Sequence, residues 1–361
     1  MIYEYWFATI QGLPDRLKFA IREFYGSGKR IYEDFEDAFL IEEKRSKVLI
    51  DTMTRARKLP LQKLLDRYHQ CLEEGITFLP WFHEDYPIRL RMLADPPYAL
   101  YLKGRLPEEN VPAVAIVVAR TCSAYGEEMA LYCGKVWAEC GFQVISGMAR
   151  GIDGAGQRGA LNGGGKTFAV LGSGPDICYP REHIGLYTDI QKNGGILSEY
   201  MPGTQSLARH FPERNRIISG LSDLILVMEA KEKSGSLITA DCALEQGKEV
   251  FALPGPVTSP LSQGCHQLIR QGAGILISPE KLLEDLGIKT NISVINKKSL
   301  EREDNLLYSF LDFVPKSLDQ IVKESKIPPN EVIEGLISLE LDGKIREVSK
   351  NHYVRCGLKP A

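Results

Sequence analysis

Short, nearly all-apolar runs separated by polar stretches with helical spacing make up the middle of this chain. The runs are Val114–Val118, Gln143–Ser146, Phe168–Leu171, Ile196–Ser198, Leu224–Met228, Glu249–Leu253 and Gly274–Ile277. None of them alternates cleanly between apolar and polar, which is the pattern of strands buried on both faces of a parallel sheet. Their alternation with helical patterns predicts a doubly wound, Rossmann-like α/β fold, in which ligands sit beyond the carboxyl ends of the strands. Residues 1–75 read differently: apolar positions recur at helical spacing in Leu17, Ala20, Ile21 and Phe24, and again in Leu61, Leu64 and Leu65. Turn signals at Gly12-Leu13-Pro14 and Gly26-Ser27-Gly28 divide this part into short helices. Beyond the α/β segment, 80–287, the polar stretch 288–304 reads as a linker. Residues 305–361 then show three helical patterns, Leu306–Val314, Leu318–Ser325 and Pro329–Asp342, and a hairpin from Lys344–Val348 and His352–Val354. That order is a winged helix.

Composition narrows the function. The chain has 361 residues, enough for two or three domains, and its 44% hydrophobic and 25% charged content is that of an ordinary globular protein. With a net charge of −3, any nucleic-acid binding must come from cations gathered in one place, not from a bulk field. Residues 305–361 carry eight Lys/Arg and eight Asp/Glu, so this module suits protein contact or weak DNA contact better than sequence readout. The eight cysteines, Cys71, Cys122, Cys133, Cys140, Cys178, Cys242, Cys265 and Cys356, form no Cys-x-x-Cys pair, and no histidine stands at metal-ligand spacing. Reduced thiols, no metal and no disulfide framework are expected. The N-terminus lacks a signal pattern, and no apolar run reaches the roughly eighteen residues that span a bilayer, so a cytoplasmic protein is expected.

The densest chemistry lies in Phe211-Pro212-Glu213-Arg214-Asn215-Arg216, a ring, two guanidiniums and an amide within six residues. Pro212 fixes the chain and restricts Phe211, so the ring is expected from an irregular segment. A ring beside planar cations suits single-stranded nucleic acid, where each stacked base contributes roughly 1–3 kcal/mol. A helix N-terminus with solvated arginines is the alternative that these six residues leave open. The turns Ser146-Gly147, Gly172-Ser173-Gly174 and Ser234-Gly235-Ser236 open onto helices and offer backbone amides to an anion. A dinucleotide site does not fit, because the third glycine of that fingerprint would fall at Ile177 and no acid stands ready for the ribose. No cofactor is expected. None of the six histidines stands in a catalytic motif, and Gly163-Gly164-Gly165-Lys166-Thr167 precedes a strand instead of following one, so no enzyme is assembled.

Read outward from Phe211, an ordered series of motifs appears. It includes Ser146-Gly147-Met148-Ala149-Arg150-Gly151-Ile152-Asp153, Leu171-Gly172-Ser173-Gly174-Pro175-Asp176 with Tyr179-Pro180, Leu197-Ser198-Glu199-Tyr200, Glu229-Ala230, Ser234-Gly235-Ser236-Leu237-Ile238-Thr239-Ala240 and Pro254-Gly255. Over about residues 80–290 the chain resembles the DNA-processing protein A family (DprA, also called Smf). The Gly12-Leu13-Pro14 opening is similar to the SAM-like or helix-hairpin-helix module that precedes the core in many members. The resemblance implies a single-stranded DNA binding protein that receives incoming DNA in natural transformation and loads RecA onto it. It also implies a homodimer through the α/β domain. Arg120 matches the arginine of the family's Gly-Ser-Arg signature, although Val118 and Ala119 replace the glycine and serine. Gln157 stands where the family usually has His, and Ala208 where it often has Lys, with Arg209 as a substitute; Arg181 falls at a commonly basic position. On this reading Phe211 stacks on a base, while Arg120, Arg181, Arg209, Arg214, Asn215 and Arg216 hold the strand with Ser146, Gly147, Gly172, Gly174, Ser234, Gly235 and Ser236.

Two other classes compete. A nucleotide-processing enzyme would use the same kind of core, as in the lysine-decarboxylase-like phosphoribohydrolases, with Ser234–Thr239 as a distant look-alike of their loop and Glu245 as the carboxylate. The double glycine of that loop is missing. A specialised family member acting mainly through protein contact by its C-terminal domain is the third reading.

Overall fold

The computed structural model describes residues 1–10, 12–35, 47–117, 119–232, 235, 237–288, 307–308, 310–312 and 315–355. Its centre is a nine-stranded sheet in the order β1-β2-β6-β5-β4-β3-β7-β8-β9. The strands are β1 (Ile76–Pro80), β2 (Ala99–Gly104), β3 (Ala113–Val117), β4 (Gln143–Ser146), β5 (Thr167–Val170), β6 (Gly195–Ser198), β7 (Leu224–Val227), β8 (Glu249–Ala252) and β9 (Gly274–Ile275). From β6 to β9 every neighbouring pair is parallel. Strands β3 to β7 are buried along their whole length, because helices cover both faces, and this is why the apolar runs do not alternate. All seven expected runs form strands at or within a few residues of their expected bounds.

Two strands were not expected. β1 and β2 add antiparallel to the β6 edge, ahead of the first expected run at Val114. Pro80, at the end of β1, is tolerated because β1 is an edge strand. On these two strands rests the core of the N-terminal helices: Tyr5, Trp6, Phe7, Leu17 and Ile21 pack with Phe78, Tyr98 and Tyr101. Burial therefore does not separate residues 1–75 from the sheet. The helix Asp15–Tyr25 ends at Gly26, whose left-handed φ of 75° only glycine adopts without strain, and Ser27 caps the next helix. Phe24 departs from expectation: it lies on the outer face of its helix and is 59% exposed.

The linker expected at 288–304 lies, except for Ile288, outside the described residues, as do Cys356, Val118, Ser234, Ser236 and four of the nine residues of the expected helix Leu306–Val314. Downstream, the helices Leu318–Ser325 and Pro329–Leu341 and a three-stranded sheet in the order β10-β12-β11 build the winged helix. These strands are β10 (Lys316–Ser317), β11 (Ile345–Ser349) and β12 (His352–Arg355).

Two crossover helices, Ala124–Glu139 and Ile152–Asn162, meet backbone to backbone on one face of the sheet. An ideal Cβ at Gly134 would lie 2.0 Å from the Gly156 carbonyl oxygen, and one at Gly159 would lie 2.0 Å from that of Leu131. Helix propensity alone favours Ala over Gly by about 1 kcal/mol. Here the backbone cannot yield, so Gly134→Ala is expected to destabilise by about 1–3 kcal/mol in urea unfolding.

Candidate functional site

The sheet's winding changes direction between β3 and β7: the chain runs from β3 through β4 and β5 to β6 on one side, and from β7 through β8 to β9 on the other. Loops leaving the carboxyl ends of strands on the two sides part at this point and leave a crevice. A cleft of about 430 Å³ opens there, lined by Arg120, Phe211, Arg214, Asn215, Lys231 and Gly235 among others. Three cations, Arg120, Arg214 and Lys231, face it against one carboxylate, Asp153. A chain of net charge −3 thus turns a cationic face to this cleft.

Phe211 sits in the first turn of the helix His210–Leu221, half-buried, and not in an irregular segment as the following proline suggested. Pro212 fits because first-turn backbone N–H groups have no partner within the helix, so a missing one loses nothing. The turn is pinned by His210, whose Nδ1 meets the Gly172 carbonyl at 2.9 Å and whose ring stacks on Tyr200 at 4.0 Å. The guanidinium of Arg120 lies 4.1 Å from the centre of the Phe211 ring, and that of Arg214 lies 5.9 Å away. Arg120 is exposed and has no ion pair among the described residues.

Arg214 forms the floor. It is 4% exposed, and its Nη1 donates to the Val170 carbonyl while its Nε has no hydrogen-bond partner among the described residues. Burial lowers its pKa to about 10, with Asp153 holding it up and Arg120 pressing it down, so it remains a cation at neutral pH. Gly147 has no side chain for a direct reason: a Cβ there would lie 2.1 Å from Arg214 Nη1.

Several expected contacts are occupied from within. Arg216 does not reach the cleft; it grips Glu199 with both arms of its fork, at 2.8 and 3.3 Å, and lies 3.4 Å from Asp95. Its position two residues beyond Arg214 turns it roughly 200° around the helix, toward the side where Glu199 stands. The Ser146 hydroxyl donates to Ile116 at 2.6 Å, and the Gly147 amide to Asp153 at 3.1 Å. The Gly174 amide is bound to the Thr204 carbonyl at 2.8 Å. Asp153 therefore fills the anion-friendly turn after β4 itself. Gln157 is buried and donates to the Phe168 carbonyl at 3.0 Å, a structural role. Arg181 and Arg209 are exposed without ion pairs among the described residues, outside the cleft lining. Glu245, the carboxylate of the enzyme alternative, is exposed and does not line the cleft either.

The model for DNA recombination-mediator protein A matches residues 77–287, and that for the DprA winged helix domain matches residues 296–349. The chain belongs to the DprA/Smf family. It is 41% identical to the Smf protein of Escherichia coli over 314 residues, 81% of this chain and 83% of that one. The structure of DprA from Streptococcus pneumoniae superposes with a TM-score of 0.69 at 33% identity, covering 81% of this chain and 99% of that one. DprA from Helicobacter pylori, whose structure concerns its single-stranded DNA binding mode, superposes with a TM-score of 0.54 at 29% identity, covering 58% and 95%. This chain is thus a DprA-type DNA-processing protein.

Lys231, which lines the cleft, and Tyr179, whose ring centre lies 5.8 Å from that of Phe211, were not among the candidates drawn from the sequence. Lys231 directly follows the Glu229-Ala230 motif and Tyr179 opens Tyr179-Pro180, so each stood beside a recognised signal. Among the described residues no group of His, Cys, Asp and Glu is placed to hold a metal, and no helix is long and apolar enough to cross a membrane.

The Arg216–Glu199 pair is largely buried, at 17% and 11% side-chain exposure. Removing one partner strands the other charge, so Arg216→Met is expected to lower stability by about 3–5 kcal/mol. Arg120→Met, at an exposed position, is expected to stay within about 0.5 kcal/mol of the parent in the same urea titration.

Proposed function

We propose that this protein binds single-stranded DNA in the cleft at the β3/β7 switch point. The observation that carries the reading is the Phe211 ring with the Arg120 and Arg214 guanidiniums 4.1 and 5.9 Å from its centre, in a cleft that Lys231 also lines, on a mildly acidic molecule. Phe211 stacks on an unpaired base; Arg120 and Lys231, exposed, meet phosphates; Arg214 supplies positive potential from below, and Asn215 and Gly235 complete the wall. Arg181 and Arg209 extend the track beyond the cleft. Ser234 and Ser236, which flank Gly235 in sequence, are further proposed DNA contacts. No covalent chemistry is needed. Single-strand binding by the Helicobacter pylori relative supports this reading.

The same proposal extends to the protein's work in the cytoplasm: it receives incoming DNA during natural transformation and loads RecA onto it. The family's description as a recombination mediator supports that step. A homodimer would join two clefts and raise avidity through effective concentration.

Fluorescence anisotropy with a labelled oligothymidylate at two salt concentrations tests the site. Phe211→Ala is expected to weaken binding about 5- to 150-fold, the equivalent of one lost base stack. Arg120→Gln and Lys231→Gln are each expected to lower the slope of log affinity against log salt by about 0.7, one phosphate contact apiece. Unchanged affinity and slope in all three variants would refute the reading.

A further inference from the structure

Phe211 has a second aromatic neighbour. The Tyr179 ring centre lies 5.8 Å from it, tilted by 45°, and Tyr179 is 40% exposed. Its phenol makes no hydrogen bond among the described residues, and Phe211 is its ring partner. It stands beside the buried Pro180 and two residues before the exposed Arg181, so a cation follows the ring along the chain as one follows Phe211. One side of Phe211 is already covered by the Arg120 guanidinium at 4.1 Å, which leaves Tyr179 as the more open aromatic surface at this end of the site.

We propose that Tyr179 is a second base platform, so that the site takes two neighbouring bases and selects unpaired strands by the spacing of its rings. Bases in a duplex are separated by about 3.4 Å along each strand and lie parallel. Two rings 5.8 Å apart and inclined by 45° fit bases that have been drawn apart and splayed. An unpaired strand adopts that form at the loss of weak stacking alone. A duplex would have to break its pairing as well, so each ring adds to the preference for single strands. The phenol hydroxyl takes no part, and the ring face does the binding.

The inference rests on the single-strand reading above, and its test separates the two. Tyr179→Ala, Tyr179→Leu, Tyr179→Phe and Phe211→Ala are titrated against a labelled oligothymidylate, an abasic strand of equal length and a duplex. The Ala and Leu variants are expected to bind oligothymidylate about 5- to 150-fold more weakly, with an unchanged salt slope. Tyr179→Phe keeps the parent affinity, the abasic strand does not distinguish any Tyr179 variant from the parent, and the single-strand preference over duplex shrinks. Because Leu preserves bulk, it carries the test if Ala unfolds the protein. Parent-like binding by Tyr179→Ala and Tyr179→Leu, with Phe211→Ala weakened, overturns the second platform and leaves the site standing. An equal loss on the abasic strand also overturns it, because the ring would then be positioning phosphate contacts. Parent-like binding by Phe211→Ala as well removes both readings.

Discussion

A guanidinium that is 4% exposed stays charged beneath the cleft only while its surroundings compensate for lost water. For Arg214 the compensation among the described residues is limited: one carbonyl, Val170, the nearby carboxylate of Asp153, and no acceptor for Nε. That shortfall shapes the site. Gly147 must lack a side chain because the fork lies against it, and Asp153 must turn toward the loop after β4, where it also accepts the Gly147 amide. The helix His210–Leu221 must begin where it does for Arg214 to reach under the sheet edge, and that start places Phe211 one turn earlier at the mouth. A buried cation left partly unsatisfied gains most from an anion brought close.

Charge placement answers the objection raised by composition. The molecule is mildly acidic, yet three cations, Arg120, Arg214 and Lys231, line the cleft against the single carboxylate of Asp153. Arg216 is the clearest contrast: of two arginines two positions apart, one is bound to Glu199 and Asp95 and the other is left facing the cleft. A paired guanidinium is already neutralised and adds little to the field at the mouth. Counting arginines in a motif therefore overstates its phosphate-binding capacity, and the helical turn that separates Arg214 from Arg216 decides which one counts.

The sheet could be read from the chain because its strands are buried on both faces, and burial of that kind leaves continuous apolar runs. β1 could not, since it is an edge strand that ends in Pro80, and β2, paired with β1 on one side and β6 on the other, runs antiparallel outside the alternating pattern. Phe211, Arg120 and Arg214 were readable as a cluster because they accompany ordered motifs. The fate of the glycine turns was not. Whether an amide faces a ligand or an internal acceptor depends on what approaches it in space, and Asp153 and Thr204 are brought to Gly147 and Gly174 only by the fold. Tyr179 was quoted within a motif, but its ring's distance from Phe211, across 32 residues of chain, is a tertiary fact.

These internal bonds decide what sort of recognition the site can perform. Had the turns after β4 and β5 kept their amides free, the backbone would grip phosphates and any anionic polymer would suit. With the Gly147 and Gly174 amides taken, binding falls to side chains: flexible cations around a ring presented from a pinned helical turn. Cations alone would hold duplex and single strand alike, since both present phosphates. A ring adds what a duplex cannot meet, because paired bases keep their faces against each other and have none to offer. On the proposed reading, discrimination resides in Phe211 and its surroundings, while affinity and its salt dependence reside in Arg120, Lys231 and their neighbours. Such a division lets a protein hold an unpaired strand firmly without reading its sequence, which is what handling DNA of arbitrary origin requires.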